Sequence, residues 1–286
     1  MHAPLATLWA FSVTPSPAIY NGIHGLLREW SCGHGNMQTP RTILVGGFGE
    51  IIVDIGLGED AGETIDALLQ GFTVLAFEPM PENIAKIRNK VAQRGVGAQV
   101  QFVQMKRGDN DGAWTMPPLE RPSATGRAVK GSGFAFIIHA GVGDDDSTLM
   151  LPLVATGGAM GSLAASTRQG GGLGPVPQVR LDTVLPSWAS TIHLLKIDTQ
   201  GYELKILRGA MASLRANRFR HVLYEFSPWL MLRGGLGEPF ELLQLMPNMH
   251  ALCFDVRRSQ PLDDPCFHAA SHARLAVSRA FAASGR

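Results

Sequence analysis

An open α/β fold, doubly wound around a mostly parallel sheet, is what this 286-residue sequence predicts. Three observations carry that expectation. Short apolar runs rich in β-branched residues recur between glycine-rich breaks, as buried strands do. The first two of these runs flank a segment of helical period within about 30 residues, which makes a βαβ unit and hence a parallel pair. Strand-like and helix-like segments then alternate as far as residue 256, the pattern of an open sheet covered on both faces.

The elements follow in order. Residues 51–55 (Ile-Ile-Val-Asp-Ile) read as a buried strand, and Gly56 to Gly62 breaks it. Ile65, Leu68 and Leu69 have helical spacing over 63–70, with Gly71 as the stop. A second strand, 72–77, ends at Glu78-Pro79, and Pro81 opens a second helix that runs to about residue 94. Residues 99–105 are strand-like, and 107–132 form a Gly/Pro-rich insertion too long for an ordinary core connection. Strands follow at 134–140 and, across the turn 143–146, at 147–154. Residues 157–175 are glycine-rich and read as a mobile surface loop expected to fold over the substrate. Order resumes at 179–185, then a strand at 193–198, a helix at 202–216, a strand at 221–226, a helix at 241–245 and a closing strand at 251–256. Residues 1–40 are expected to be an extension and 261–286 a tail.

Composition bounds the function. A hydrophobic content of 45% suffices for a large core. Lys+Arg 25 against Asp+Glu 24 leaves a net charge of +1, without the basic excess that nucleic acid or an anionic membrane surface selects. No run approaches the roughly 18 apolar residues of a membrane span. Cys32, Cys253 and Cys266 are odd in number and widely spaced, so free thiols in a reducing, cytoplasmic setting are expected. The acid-poor N-terminal stretch has a faint likeness to an organelle transit peptide, although few arginines accompany it. His268 and His272 lie at i and i+4 without a third ligand, so no metal site is expected.

In such sheets the ligand lies outside the carboxyl ends of the strands, where the first strand-to-helix turn needs glycine for close backbone approach. Gly56 and Gly58 supply that turn. Glu78 follows Gly56 by 22 residues, where a carboxylate accepts the ribose hydroxyls of an adenosine. A dinucleotide fingerprint would put its third glycine one residue before Gly62 and a pyrophosphate beside Glu59 and Asp60, a repulsion of about 1 kcal/mol or more per close pair. S-adenosylmethionine has no phosphate and carries a sulfonium and an amino group, so it suits the acidic loop, with Asp54 set to bind the amino group directly or through water. An NAD(P)-dependent oxidoreductase and a non-catalytic protein that retains the fold are the alternatives.

With these residues the chain resembles the FkbM-type S-adenosylmethionine-dependent methyltransferases. The segments that carry the resemblance are Val53-Asp54-Ile55-Gly56, Ala76-Phe77-Glu78-Pro79-Met80-Pro81-Glu82-Asn83, Ala140-Gly141-Val142-Gly143-Asp144, Leu195-Lys196-Ile197-Asp198-Thr199-Gln200-Gly201-Tyr202-Glu203 and Leu207-Arg208-Gly209-Ala210. Tyr224-Glu225-Phe226 looks like the family's next strand end. The resemblance implies a methyltransferase domain over 41–260 with a seven-stranded, Rossmann-like class I sheet whose last strand is antiparallel. It implies transfer to a hydroxyl oxygen of a small-molecule or glycan-like acceptor. By position, Asp54, Gly56 and Gly58 would line the cofactor, Glu78 would hold its ribose and Asp144 would lie near the adenine. The chain departs from the family pattern at Leu57 to Ala61 and at Gln200, where many members carry Glu.

Methyl transfer is an in-line displacement, so alignment matters most, and a base at the methyl end assists a hydroxyl acceptor. Asp198, ending a strand near the switch point, is the candidate base, and Glu203, with Glu225, is a candidate to orient the acceptor or, with Asp198, to hold a divalent metal; Asp198 would otherwise cap the following helix. Lys196 in an apolar strand needs a partner, and its head is expected to reach the crevice or to pair with Glu225.

Overall fold

The computed structural model describes residues 7–12, 49–108, 112–122, 133–152, 173–226, 231, 234–245, 252–255 and 260–261. Its strands are β1 (Thr7–Ser12), β2 (Ile51–Ile55), β3 (Thr73–Phe77), β4 (Val100–Gln104), β5 (Lys106–Arg107), β6 (Trp114–Thr115), β7 (Phe134–His139), β8 (Gly141–Val142), β9 (Ser147–Pro152), β10 (Leu173–Val179), β11 (Ile192–Ile197), β12 (Phe219–Phe226), β13 (Leu252–Asp255) and β14 (Gln260–Pro261). Its helices are α1 (Gly62–Leu69), α2 (Pro81–Gln93), α3 (Leu181–Val184), α4 (Glu203–Arg208), α5 (Met211–Arg215) and α6 (Pro239–Leu245).

The described strands build a nine-stranded sheet in the order β14-β13-β1-β12-β11-β2-β3-β7-β4. From β12 to β4 every neighbouring pair is parallel. All five residues of β2 are buried, as befits a central strand covered on both faces. Alternation along β2 divides the core: Val53 and Ile55 face Leu204 and Leu207 of α4, while Ile52 faces Ile65 and Leu68 of α1 and Ile87 of α2. Each such fully buried Leu or Ile contributes about 1.5–3 kcal/mol. The fold is therefore doubly wound, as the alternation of elements implies.

Six expectations need correction. The described sheet has nine strands rather than seven, and its antiparallel members are β1 and the two-residue β14, not β13, which matches the closing strand expected at 251–256. β1 lies between β12 and β13 and runs antiparallel to both, so β13 runs in the direction of β12. Thr7–Ser12, read from sequence as part of an extension, is thus a sheet strand. Its apolar run, Leu8 to Phe11, is only four residues long and is bounded by Thr7 and Ser12. The segment expected as a loose insertion contacts the core: Leu119 is buried, and Trp188 Nε1 donates to the Leu119 carbonyl at 2.7 Å.

The helix expected over 202–216 is two helices. At Gly209, between them, a Cβ would lie 1.8 Å from the Gly143 carbonyl oxygen, so only glycine permits that backbone approach. Leu173, Gly174 and Pro175, assigned from sequence to the mobile loop, pair with β9 as part of β10. The rest of that loop, at 157–172, and most of both termini lie outside the described residues. Among the described residues no helix is long and apolar enough to cross a membrane.

Candidate active site

The chain leaves β2 toward β3 on one side and returns to β11 on the other, so the strand order switches between β2 and β11. The carboxyl ends of these two strands are the position that open α/β sheets use for ligands. The backbone is tied tightly across it. Gly56 N donates to the Phe77 carbonyl at 3.0 Å, and Asp198 N donates to the Ile55 carbonyl at 2.9 Å. Gly56 has φ +85°, and a Cβ on it would lie 2.0 Å from the Asp198 carbonyl oxygen. Gly58 also has positive φ, +65°, with open space where a Cβ would project.

Glu78, just beyond β3, organises the glycine loop. Its Oε2 accepts from the backbone N–H of Leu57 at 3.1 Å and of Gly58 at 3.2 Å. Its Oε1 accepts from Met80 N at 2.9 Å and Asn83 Nδ2 at 3.1 Å, at the start of α2. Burial pushes the Glu78 carboxyl up to about 7 even though these four donors favour the charged form. The loop closes on Ala61, a left-handed residue at φ 48°, with Asp60 Oδ1 accepting from Gly62 N at 3.0 Å. Glu59 does not leave an open negative charge on the loop: Lys86 bridges it at 2.9 Å and Glu82 at 2.8 Å. The electrostatic argument against a pyrophosphate is weaker by that pairing.

Beneath the loop lies a buried ionic cluster. Lys196 sits beside Asp54 in the β11–β2 register, and its ammonium is 3.1 Å from Asp54 Oδ1 and 2.7 Å from Glu63 Oε2. Thr64 Oγ1 donates to Asp54 Oδ2 at 2.7 Å. Burial pushes the Asp54 carboxyl up, against the pull of Lys196. Burial also pulls Lys196 down, but the carboxylates of Asp54, Glu63 and Asp198 outweigh it and hold the ammonium above the ordinary lysine range. Glu225, the partner expected for Lys196, is replaced by Asp54 and Glu63, because Lys196 projects to the same face as Leu194, toward α1.

Asp198 is half-buried at the end of β11, and its Oδ1 accepts from Gln200 Nε2 at 3.1 Å. It makes no helix cap, since Tyr202 holds the N-cap position of α4. Glu203 instead binds the turn. Its Oε1 accepts from Thr199 N at 3.1 Å, Thr199 Oγ1 at 3.0 Å and Gly201 N at 3.1 Å. These bonds fix a turn in which Gln200 and Gly201 both have positive φ, 57° and 109°. Glu203 is fully buried, which pushes its carboxyl up to about 7, and its Oε2 has no hydrogen-bond partner among the described residues. Asp144 follows β8 on a bend and lies 3.6 Å from Lys205 of α4. A Cβ at Gly141 of β8 would lie 3.7 Å from Pro79 Cβ, so β8 runs beside the residue that follows Glu78.

The structure thus gathers Asp54, Gly56, Gly58, Glu78 and Asp198 around one switch point, with Glu203 behind the Asp198 turn. Residues that sequence reasoning passed over support it: Glu63 and Thr64 on α1 and Asn83 on α2, while Gln178 Oε1 accepts from Tyr202 Oη at 2.6 Å just before α4. Asn83 was visible as a polar residue in the first turn after Pro81; Glu63, Thr64 and Gln178 gave no spacing signal. No group of three His, Cys, Asp or Glu among the described residues is arranged to hold a metal.

The family model of the methyltransferase FkbM domain matches residues 60–252. The chain belongs to the FkbM methyltransferase family. The matched span of this methyltransferase takes in Glu78, Asp144, Asp198 and Glu203 and begins after Asp54, Gly56 and Gly58. No curated protein and no solved structure matches the chain.

Proposed function

We propose that this FkbM-family methyltransferase uses S-adenosylmethionine to methylate a hydroxyl oxygen of a small-molecule or sugar-like acceptor, in a reducing compartment such as the cytoplasm. The observation that carries the reading is the joining of the glycine loop to Asp198 across the switch point, which brings a nucleotide-type corner and a half-buried carboxylate together. The residues present fit the cofactor: an open backbone at Gly58, a carboxylate at the end of β3, and acidic groups without a phosphate-binding lysine or arginine in the loop.

When bound, S-adenosylmethionine supplies a methyl carbon already activated by its sulfonium. The chain's own residues then align and deprotonate. Glu78 holds Leu57, Gly58 and the start of α2 in one frame at the end of β3, the corner against which the ribose would lie. Asp198 would take the proton of the acceptor hydroxyl on its carboxylate, a contribution of about 10²- to 10⁴-fold. Glu203 is a positioning residue in this scheme, since it fixes the 199–201 turn that aims Asp198. Asp144 borders the adenine side.

The test is transfer of a labelled methyl group from S-adenosylmethionine to a panel of neutral polyols, glycosides and amines. Label in hydroxyl acceptors, reduced at least about 100-fold in Asp198→Asn with cofactor affinity retained, is the expected result. Label only in amines would overturn the oxygen assignment.

A further inference from the structure

Gln200 holds a backbone conformation that its side chain does not favour. Among the described residues three that are not glycine have positive φ: Ala61 at 48°, Gln200 at 57° and Asn217 at 52°. Asn217 follows the last turn of α5, where a left-handed asparagine is an ordinary helix stop. Ala61 and Gln200 lie instead on the two turns that Gly56 and Asp198 bring together. The left-handed region is unfavourable for a residue that carries a Cβ, and such a residue stays there only where its surroundings fix it.

Glu203 Oε1 accepts from the N–H groups of Thr199 and Gly201, so the backbone at residue 200 is clamped from both sides. Glycine at 200 would adopt this backbone freely, but it would remove the side chain whose Nε2 donates to Asp198 Oδ1 at 3.1 Å. Asp198 needs that contact. Its backbone is fixed by its N–H on the Ile55 carbonyl and by its carbonyl oxygen against Gly56, yet these contacts leave its two side-chain torsions undetermined. Among the described residues the Gln200 amide is the one donor bonded to its carboxylate. Glutamine suits this position where glutamate would not, because an uncharged amide donates to a carboxylate that a second carboxylate would repel.

We propose that Gln200 is a positioning residue for methyl transfer: with Asp198 read as the base, as above, its amide holds Oδ1 and so turns Oδ2 toward the acceptor hydroxyl. The left-handed backbone carries the amide back to Asp198, and Glu203 keeps that backbone in place. Gln200 acts on the reaction through Asp198 and not by contact with either substrate.

The test compares wild type, Gln200→Gly and Gln200→Glu in two measurements on the full chain. One is isothermal titration with S-adenosylhomocysteine; the other is transfer of labelled methyl from S-adenosylmethionine to the polyol or glycoside that labels best in the panel above. Gln200→Gly keeps the turn and loses the amide, whereas Gln200→Glu keeps the length and exchanges the donor for a carboxylate. Both are expected to lower kcat by about tenfold or more, since a misplacement of about 1 Å costs about 100-fold, while S-adenosylhomocysteine affinity and the KM for the acceptor stay within about twofold. A kcat within about twofold of wild type in either variant would show that the amide does not aim Asp198, and loss of S-adenosylhomocysteine affinity in step with kcat would show that residue 200 only shapes the fold; either overturns the proposal. No transfer from wild type to any polyol or glycoside would instead bring down the hydroxyl reading itself, and this assignment with it.

Discussion

The α-carbon of Gly56 and the carbonyl oxygen of Asp198 approach so closely that a Cβ at Gly56 would stand 2.0 Å from that oxygen. The cofactor loop and the candidate base are thereby one mechanical unit. Gly56→Ala meets both the clash and a positive φ of +85°, and a loss of about 3 kcal/mol or more is expected. Gly58→Ala has the positive φ but no clash, so only about 1 kcal/mol is expected there. Urea unfolding of the two variants side by side checks the contrast; equal losses would deny the close approach.

Glu203 makes stability depend on pH. Its carboxyl lies near 4.5 in the unfolded chain and about 7 in the folded one, because burial disfavours the charged form. The folded state therefore binds the proton more tightly, and the contribution is complete below 4.5 and lost as pH rises through 7, at most about 3 kcal/mol for one such group. Glu78 titrates in the same direction and window. Glu203→Gln keeps an acceptor for Thr199 and Gly201 but cannot ionise, so unfolding free energies measured from pH 5 to 8 should fall less steeply in the variant. An identical slope would contradict the assignment.

Lys196→Met removes the ammonium between two buried or partly buried carboxylates. Breaking such a pair from one side costs about 3 to 5 kcal/mol, because Asp54 is left charged and enclosed. Lys196→Met with Asp54→Asn should recover part of that loss. Chemical unfolding of the single and double variants measures it, and additive losses would show that the two side chains are not coupled.

Ala10 lies within β1, opposite Leu223 on one side and Phe254 on the other. Proline there removes a ladder donor from an interior strand, so Ala10→Pro should lower the unfolding midpoint and promote self-association through the uncovered strands. Wild-type behaviour would mean that Thr7–Ser12 is dispensable to the sheet.

Much of this was legible in the sequence, for physical reasons that differ by element. β2 and β3 are continuous apolar runs bounded by Gly and Pro, and central strands buried on both faces leave that trace. Glu78 was legible because its spacing from Gly56 follows from the length of one helix and one strand. β1 was not, since a strand of six residues is ordered by partners more than 200 residues away, which local pattern does not show. Glu63 and Thr64 were hidden for a related reason. A residue in the first turn of a helix reads as a generic helix start, and only the fold puts Lys196 opposite it. The same cause misdirected Lys196 to Glu225: sequence proximity stood in for the sheet register that sets Asp54 beside it. Glu59 looked like a bare loop charge because Lys86, 27 residues on, returns to it only when α2 packs.

The central claim is an adenosine cofactor without a pyrophosphate, gripped at Glu78. Its most direct test is thermal unfolding of wild type and Glu78→Ala with S-adenosylmethionine, S-adenosylhomocysteine, NAD and NADP, each at about 100 times the dissociation constant where binding occurs. Such occupancy adds about 2.7 kcal/mol and raises the midpoint by a few degrees in a domain of this size. A rise with the two sulfur compounds alone, abolished in Glu78→Ala, is the result the account predicts; a rise with the nicotinamide dinucleotides alone would contradict it.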